Sequence, residues 1–226
     1  MHWYGLYTRL HADVQMSCFD VWDNRQFDAL LATFGALRSH WEREGRLNGE
    51  QKRRLECLLD TENFDNLYRV FGMDYLIEGN GELDAYQNQS KDCIFSFHVL
   101  EHVHRNALAH TVSEMYRITK PGGCVIHQIG IDDHLAHYDP TASQKMYLKW
   151  PTKLRERFLE NKVQYHNALQ GADYVNLFES VGFVLSEVER ERCNIDGISI
   201  HPEWCRYSQE DLETTVLTLV LNKPSK

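Results

Sequence analysis

The chain has 226 residues, 42% hydrophobic and 25% charged, with only 5 prolines and 13 glycines. That length supports one substantial core and points to a single domain over 1–226. A formal net charge of −9 argues against nonspecific binding to nucleic acid or anionic membrane.

No apolar run approaches the roughly 18 residues of a membrane span, and the first residues lack a signal-peptide pattern. The expected location is therefore cytoplasmic, with no nucleic-acid or membrane partner. Six cysteines (Cys18, Cys57, Cys93, Cys124, Cys193, Cys205) are scattered singly without a CxxC pair. They are expected to be reduced and mostly buried.

In chain order, Trp3, Leu6, Tyr7 and Leu10 recur at helical spacing, so the chain opens in an amphipathic helix. Residues 14–21 read as a strand with an acid, Asp20, near its end. Phe27, Leu30, Leu31, Phe34 and Leu37 form the stripe of a second helix. A charged stretch at about 38–73 holds two further helices, at 50–60 and 63–71, with Asp60-Thr61 as cap candidates for the second. A strand at 74–78 leads into the turn Gly79-Asn80-Gly81.

Residues 92–97 form the next strand, with Ser96, Phe97 and His98 at its carboxyl end; Leu100, Glu101 and His102 begin the next helix, which carries Leu108, Val112, Met115 and Tyr116 on one face. That helix is expected to end at Lys120-Pro-Gly-Gly123, which feeds a strand at 124–129. A long loop rich in His, Asp and Tyr covers 130–150. Pro151 starts a helix over Leu154 to Leu159. A helix at 173–181 closes at Gly182, and strands follow at 183–189 and 214–222. The last two strands, with no convincing helix between them, suggest an antiparallel end to a mainly parallel α/β sheet.

The unit strand–HVLEHV–helix–KPGG–strand resembles the fourth and fifth strands of class I S-adenosylmethionine-dependent methyltransferases of the type 11 kind. The resemblance covers about residues 1–130 by register and the remainder more loosely. It implies a Rossmann-like sandwich with S-adenosylmethionine as cofactor and a small-molecule acceptor methylated on oxygen or nitrogen. In its register 75–81 is the third strand and 14–20 the second. The helix at 3–10 becomes the first crossover helix, so the first strand and its glycine loop would precede Met1. The expected sheet lacks its central first strand or has it replaced, as in a truncated enzyme, a lane filled by another segment, or a relative that no longer binds cofactor.

By the same resemblance Asp20 takes the two ribose hydroxyls, as a carboxylate can accept two hydrogen bonds at once. The alternative is that Asp20 or Asp23 caps the following helix. Asn80 and Gly81 stand where the family meets adenine, against the alternative of a plain turn. Ser96 and Phe97 lie along the methionine part of the cofactor. His98 points towards the acceptor as a catalytic residue, joined by His134.

His102, His127, Asp133 and His137 are the candidate acceptor contacts. The alternative for each histidine is a hydrogen-bonded structural imidazole. The run His127-Gln-Ile-Gly-Ile-Asp-Asp-His134-Leu-Ala-His137-Tyr-Asp139 also admits a metal reading, for zinc or non-haem iron. It matches no specific metal motif, and no metal ligand is assigned. The insertion at about 38–73 reads as a lid or an oligomer contact. Two rivals to a methyltransferase remain: a binding or assembly module of the same fold, and a metal-dependent enzyme using 127–139.

Overall fold

A computed structural model describes residues 2–139, 141–158 and 165–225. The chain divides into two units, Met1–Glu82 and Leu83–Lys226. In the first, α1 (His2–His11) precedes β1 (Met16–Asp20), and α2 (Phe27–Arg43), α3 (Gly49–Leu59) and α4 (Phe64–Phe71) precede β2 (Met73–Ile77). Strands β1 and β2 pair in parallel, Met16 beside Met73 and Asp20 beside Ile77.

The apolar stripes seen in the sequence meet in one core. Leu6 and Leu10 of α1, Leu30 and Phe34 of α2, Leu55 and Leu58 of α3, and Leu67 and Phe71 of α4 are all buried there. Helices α3 and α4 of the charged insertion are thus structural members of this core. Asn48 and Gln51 close a capping box at α3. Asn63 caps α4 by accepting from the Asn66 N–H, whereas Asp60 ends α3. The Asp60-Thr61 cap expected for α4 is therefore replaced by a residue nearer the helix, where the side chain reaches the third amide.

The second unit holds β3 (Lys91–Phe97), α5 (Arg105–Ile118), β4 (Thr119–Gly130), α6 (Thr152–Phe158), α7 (Gly171–Ser180), β5 (Val184–Arg192), α8 (Gln209–Glu213) and β6 (Thr214–Asn222). The sheet order is β3-β4-β6-β5. Strands β3 and β4 are parallel, and β6 runs antiparallel to both β4 and β5. This is the α/β, Rossmann-like arrangement with an antiparallel carboxyl-terminal strand that the sequence leads one to expect. Val125 and Ile129 of β4 and Leu217, Leu219 and Leu221 of β6 are fully buried. So are Leu108 and Val112 of α5 and Tyr174 and Phe178 of α7, which lie to within 1% exposure.

Three expectations are corrected. The Lys120-Pro-Gly-Gly123 segment does not precede the strand but lies inside β4, where the register with β3 shifts between Lys91 and Cys93. Gly122 supplies a φ of +78° there. A Cβ on Gly123 would stand 2.8 Å from the Asp92 carbonyl oxygen, so the bulge requires a glycine. His102 does not begin α5: Leu100–His102 is a separate 3₁₀ turn. The segment between β5 and β6 is not helix-free, since it holds α8 and a short turn at Pro202–Trp204. The expected helix end at Leu159 lies outside the described residues.

The cysteines also differ from expectation. Cys18 is buried, Cys124 and Cys193 are half-buried, and Cys57, Cys93 and Cys205 are exposed. Among the described residues no helix is long and apolar enough to cross a membrane.

Candidate functional site

In open α/β sheets ligands meet the carboxyl ends of the parallel strands. In the first unit those ends are Asp20 and Ile77. The Asp20 carboxylate accepts the Val21 N–H at 3.0 Å through one oxygen and the Tyr75 O–H at 3.1 Å through the other. Each oxygen can accept a second bond. Asp23 is engaged otherwise: the Arg25 guanidinium holds it in two parallel bonds of 2.8 and 2.7 Å. That guanidinium also lies 4.6 Å over the Tyr75 ring. Helix α2 is capped at Gln26 without a side-chain bond, so neither acid serves as its cap.

Beside Asp20, Val21, Trp22 and Ile77 are exposed, Trp22 at 65%. The Asn80 side chain braces its own turn. Its amide N–H donates to Glu82 at 2.9 Å and its oxygen accepts the Glu82 N–H at 3.1 Å. Gly81, at φ +73°, closes that turn by donating to the Glu78 carbonyl. A Cβ on Gly81 would lie 3.7 Å from the Val21 side chain, which puts the turn next to the β1 end.

In the second unit the parallel ends are Phe97 and Gly130. His98 follows β3 with φ +50°, a left-handed conformation that costs a non-glycine residue roughly 1–2 kcal/mol. Its N–H donates to the Gln128 carbonyl at 2.9 Å. Its Nδ1 meets Glu101 Oε1 at 3.1 Å. Glu101 is 1% exposed, and the same oxygen accepts the Gly130 N–H at 3.1 Å. Its Oε2 is buried with no partner among the described residues. A Cβ on Gly130 would fall 2.9 Å from both Glu101 Oε1 and His98 Nδ1, so a glycine is what lets the two groups meet at the strand end.

The bond to Glu101 raises the His98 pKa against the opposing effect of burial, and the charges of Asp132 and Glu191 add to it. A neutral His98 donating Nδ1–H to Glu101 leaves Nε2 as the acceptor. A cavity of about 490 Å³ is lined by His98, Asp132, His137 and Gln144 with Ala136, Ala142 and Val216. Asp132 holds His137 Nε2 at 2.6 Å. Asp133 instead caps the turn His134–His137 by accepting the Leu135 N–H.

His134 is half-buried, with ring centroids of His102, His166 and His137 at 5.3, 5.4 and 5.7 Å. Burial, then the charge of His102, lowers its pKa. His102 Nδ1 donates to the Tyr165 carbonyl. His166 donates Nε2–H to the Gly130 carbonyl at 3.1 Å and accepts the Ala168 N–H at Nδ1, and burial holds its pKa near about 3.

His127 lies on the opposite face of β4. It is fully buried, bonded through Nδ1 to Ser96 Oγ at 2.7 Å and stacked on Phe178 at 5.1 Å. Burial pushes its pKa down to about 3. Both it and the Ser96 hydroxyl are interior groups. Phe97 packs edge-on against Phe95. Among the described residues no three His, Cys, Asp or Glu side chains converge to hold a metal ion.

Sequence reasoning overlooked Glu101, Gly130, Asp132 and His166. It also overlooked Lys145, which is fully buried and donates to the Ile131 carbonyl and the Tyr147 hydroxyl, both at 2.9 Å. Burial lowers the Lys145 pKa to about 7. The Glu101 signal was present: an acid three residues after His98, in reach once the chain turns at the strand end.

The family model described as a methyltransferase domain matches residues 59–127. No curated protein sequence matches the chain. A solved SAM-dependent methyltransferase from Methanosarcina mazei is similar in structure at TM-score 0.53 and 13% identity, over 98% of this chain and 87% of that one. An S-adenosylmethionine-dependent methyltransferase from Mesorhizobium loti gives 0.46 at 15% identity, over 98% and 97% of the two chains. One from Archaeoglobus fulgidus gives 0.45 at 13%, over 98% and 92%. At 13% identity the likeness to the Methanosarcina mazei structure establishes the fold alone.

Proposed function

We propose that this chain, related to the class I S-adenosylmethionine-dependent methyltransferases by its methyltransferase-domain match and its fold, transfers a methyl group to nitrogen or oxygen of a small-molecule acceptor. The observation that carries the reading is the His98–Glu101–Gly130 arrangement at the carboxyl end of the β3–β4 ladder. His98 has one nitrogen held by a buried carboxylate and lines a cavity large enough for a metabolite. That is the geometry of a proton acceptor: the acceptor's N–H or O–H passes its proton to Nε2, and Glu101 steadies the imidazolium.

S-adenosylmethionine supplies a methyl group already activated on a sulfonium, so the protein's part is to bind, align and take up a proton. The residues present suit its nucleoside half. Asp20 has acceptor capacity for a vicinal diol, beside an exposed indole at Trp22. With the Asn80 side chain held in its turn, contact there falls to the backbone of Asn80 and Gly81. Ser96, whose hydroxyl is bound to His127, keeps only its backbone for the methionine part that the resemblance assigns to it and to Phe97. On the acceptor side His137 is held by Asp132 and lines the cavity. His134 and His102 stand in the imidazole cluster, and Asp133 shapes the turn that carries His134 and His137.

Calorimetry with S-adenosylhomocysteine, followed by a methyl-transfer assay on amine, phenol and hydroxy-acid acceptors, tests the reading. Saturable binding and transfer to one acceptor class are the expected results. Folded protein that binds neither S-adenosylmethionine nor S-adenosylhomocysteine would make the chain a binding module instead.

A further inference from the structure

Cys93 of β3 and Cys124 of β4 are directly paired in the parallel ladder. Side chains so paired leave the same face of the sheet. Neighbouring strands lie about 4.8 Å apart, inside the Cα separations of roughly 4.4–6.8 Å that a disulfide spans. Cys93 is exposed and Cys124 half-buried, so a small reagent reaches the pair from solvent. The bulge next to them, with Gly123 close against the Asp92 carbonyl, fixes the local approach of the two backbones.

We infer that Cys93 and Cys124 form a dithiol that closes to a disulfide by exchange with a low-molecular-weight disulfide such as glutathione disulfide. Cys93, the more exposed, loses its proton and its sulfur attacks one sulfur of the reagent, which leaves as a thiolate and takes up a proton. The deprotonated Cys124 sulfur then attacks Cys93 in the mixed disulfide and expels the second reagent thiol. Two protein thiols are oxidised by two electrons in all, and one reagent disulfide is reduced to two thiols.

Partial enclosure of its sulfur against the sheet, then the neighbouring Cys124, pushes the Cys93 thiol up to about 12 even though the residue is open to solvent. The pair therefore rests protonated at neutral pH, and the exchange quickens as pH rises. Cys93 lies five positions before His98, so the bridge forms away from the strand end that carries the His98–Glu101 pair.

The full chain is equilibrated in glutathione redox buffers at mildly alkaline pH, quenched in acid, alkylated, digested and analysed by mass spectrometry. The expected result is a linked Cys93–Cys124 peptide, lighter by two hydrogen atoms, that accumulates as the buffer becomes more oxidising. The exposed Cys57 and Cys205 show only free thiol or glutathione adducts. In Cys93→Ser the linked peptide vanishes and Cys124 is found free or as an adduct. Cys93 and Cys124 that stay free, or carry separate adducts, in buffers that modify Cys57 would overturn the proposal.

Discussion

At the end of β1 the half-buried carboxylate of Asp20 keeps acceptor capacity, and Val21, Trp22 and Ile77 beside it are exposed and apolar. At the end of β3 the carboxylate of Glu101 is the buried partner, and the exposed group is the histidine it holds. A carboxylate left near water keeps hydrogen-bonding capacity for a ligand and suits recognition of hydroxyls. One buried against an imidazole shifts that imidazole's proton affinity and suits proton transfer. The same chemical group at the same kind of strand end thus supports two different tasks, decided by its burial and by the neighbour it meets.

The contrast can be broken at either end. The largest effect is expected from His98→Ala, which should lower turnover by about 10²–10⁴-fold, the usual contribution of a general base. Affinity for S-adenosylhomocysteine should stay close to wild type by calorimetry. Gly130→Ala brings a methyl group into the space shared by Glu101 and His98. It should cost about 1–3 kcal/mol of stability in denaturant melts, the scale of an overpacked core, and depress turnover with it. Asp20→Ala should weaken S-adenosylhomocysteine binding by about 1–3 kcal/mol, the scale of a hydrogen bond to a charged group. Unchanged affinity would remove Asp20 from the nucleoside contact.

The smallest effect concerns His127 and appears only in acid. Its folded pKa, about 3, lies below the ordinary 6.5, so between these values the unfolded chain binds the extra proton. Stability attributable to this group is full above pH 6.5 and is lost as pH falls. The loss is about 2 kcal/mol by pH 5. His127→Phe should flatten the wild-type decline by that amount, measured as denaturant midpoints at pH 7 and pH 5. An equally steep decline in the variant would show that this imidazole is not held neutral.

The helices were legible because Trp3, Leu6, Leu10 and the α2 stripe repeat at helical spacing and do meet in one core. The β4 start was not legible, because Pro-Gly-Gly is an ordinary stop signal, and only pairing with β3 turns it into a bulge. The placement of His127 was within reach. Period-two alternation sets it with Val125 and Ile129, which are buried, and opposite Gln128 and Gly130. Glu101 was harder: the sequence sets it beside His102, whereas the turn after β3 brings it to His98, and the third member, Gly130, comes from a strand 29 residues later.

The most direct test of the account is the pH dependence of methyl transfer in wild type and Glu101→Gln. Because Glu101 raises the His98 pKa, and the base works only when neutral, removing the negative charge should move the acidic limb of the rate profile to lower pH while reducing the plateau. An acidic limb at the same pH in both proteins, in a variant that remains folded and active, would contradict the assignment of His98 and Glu101 as the proton-accepting pair.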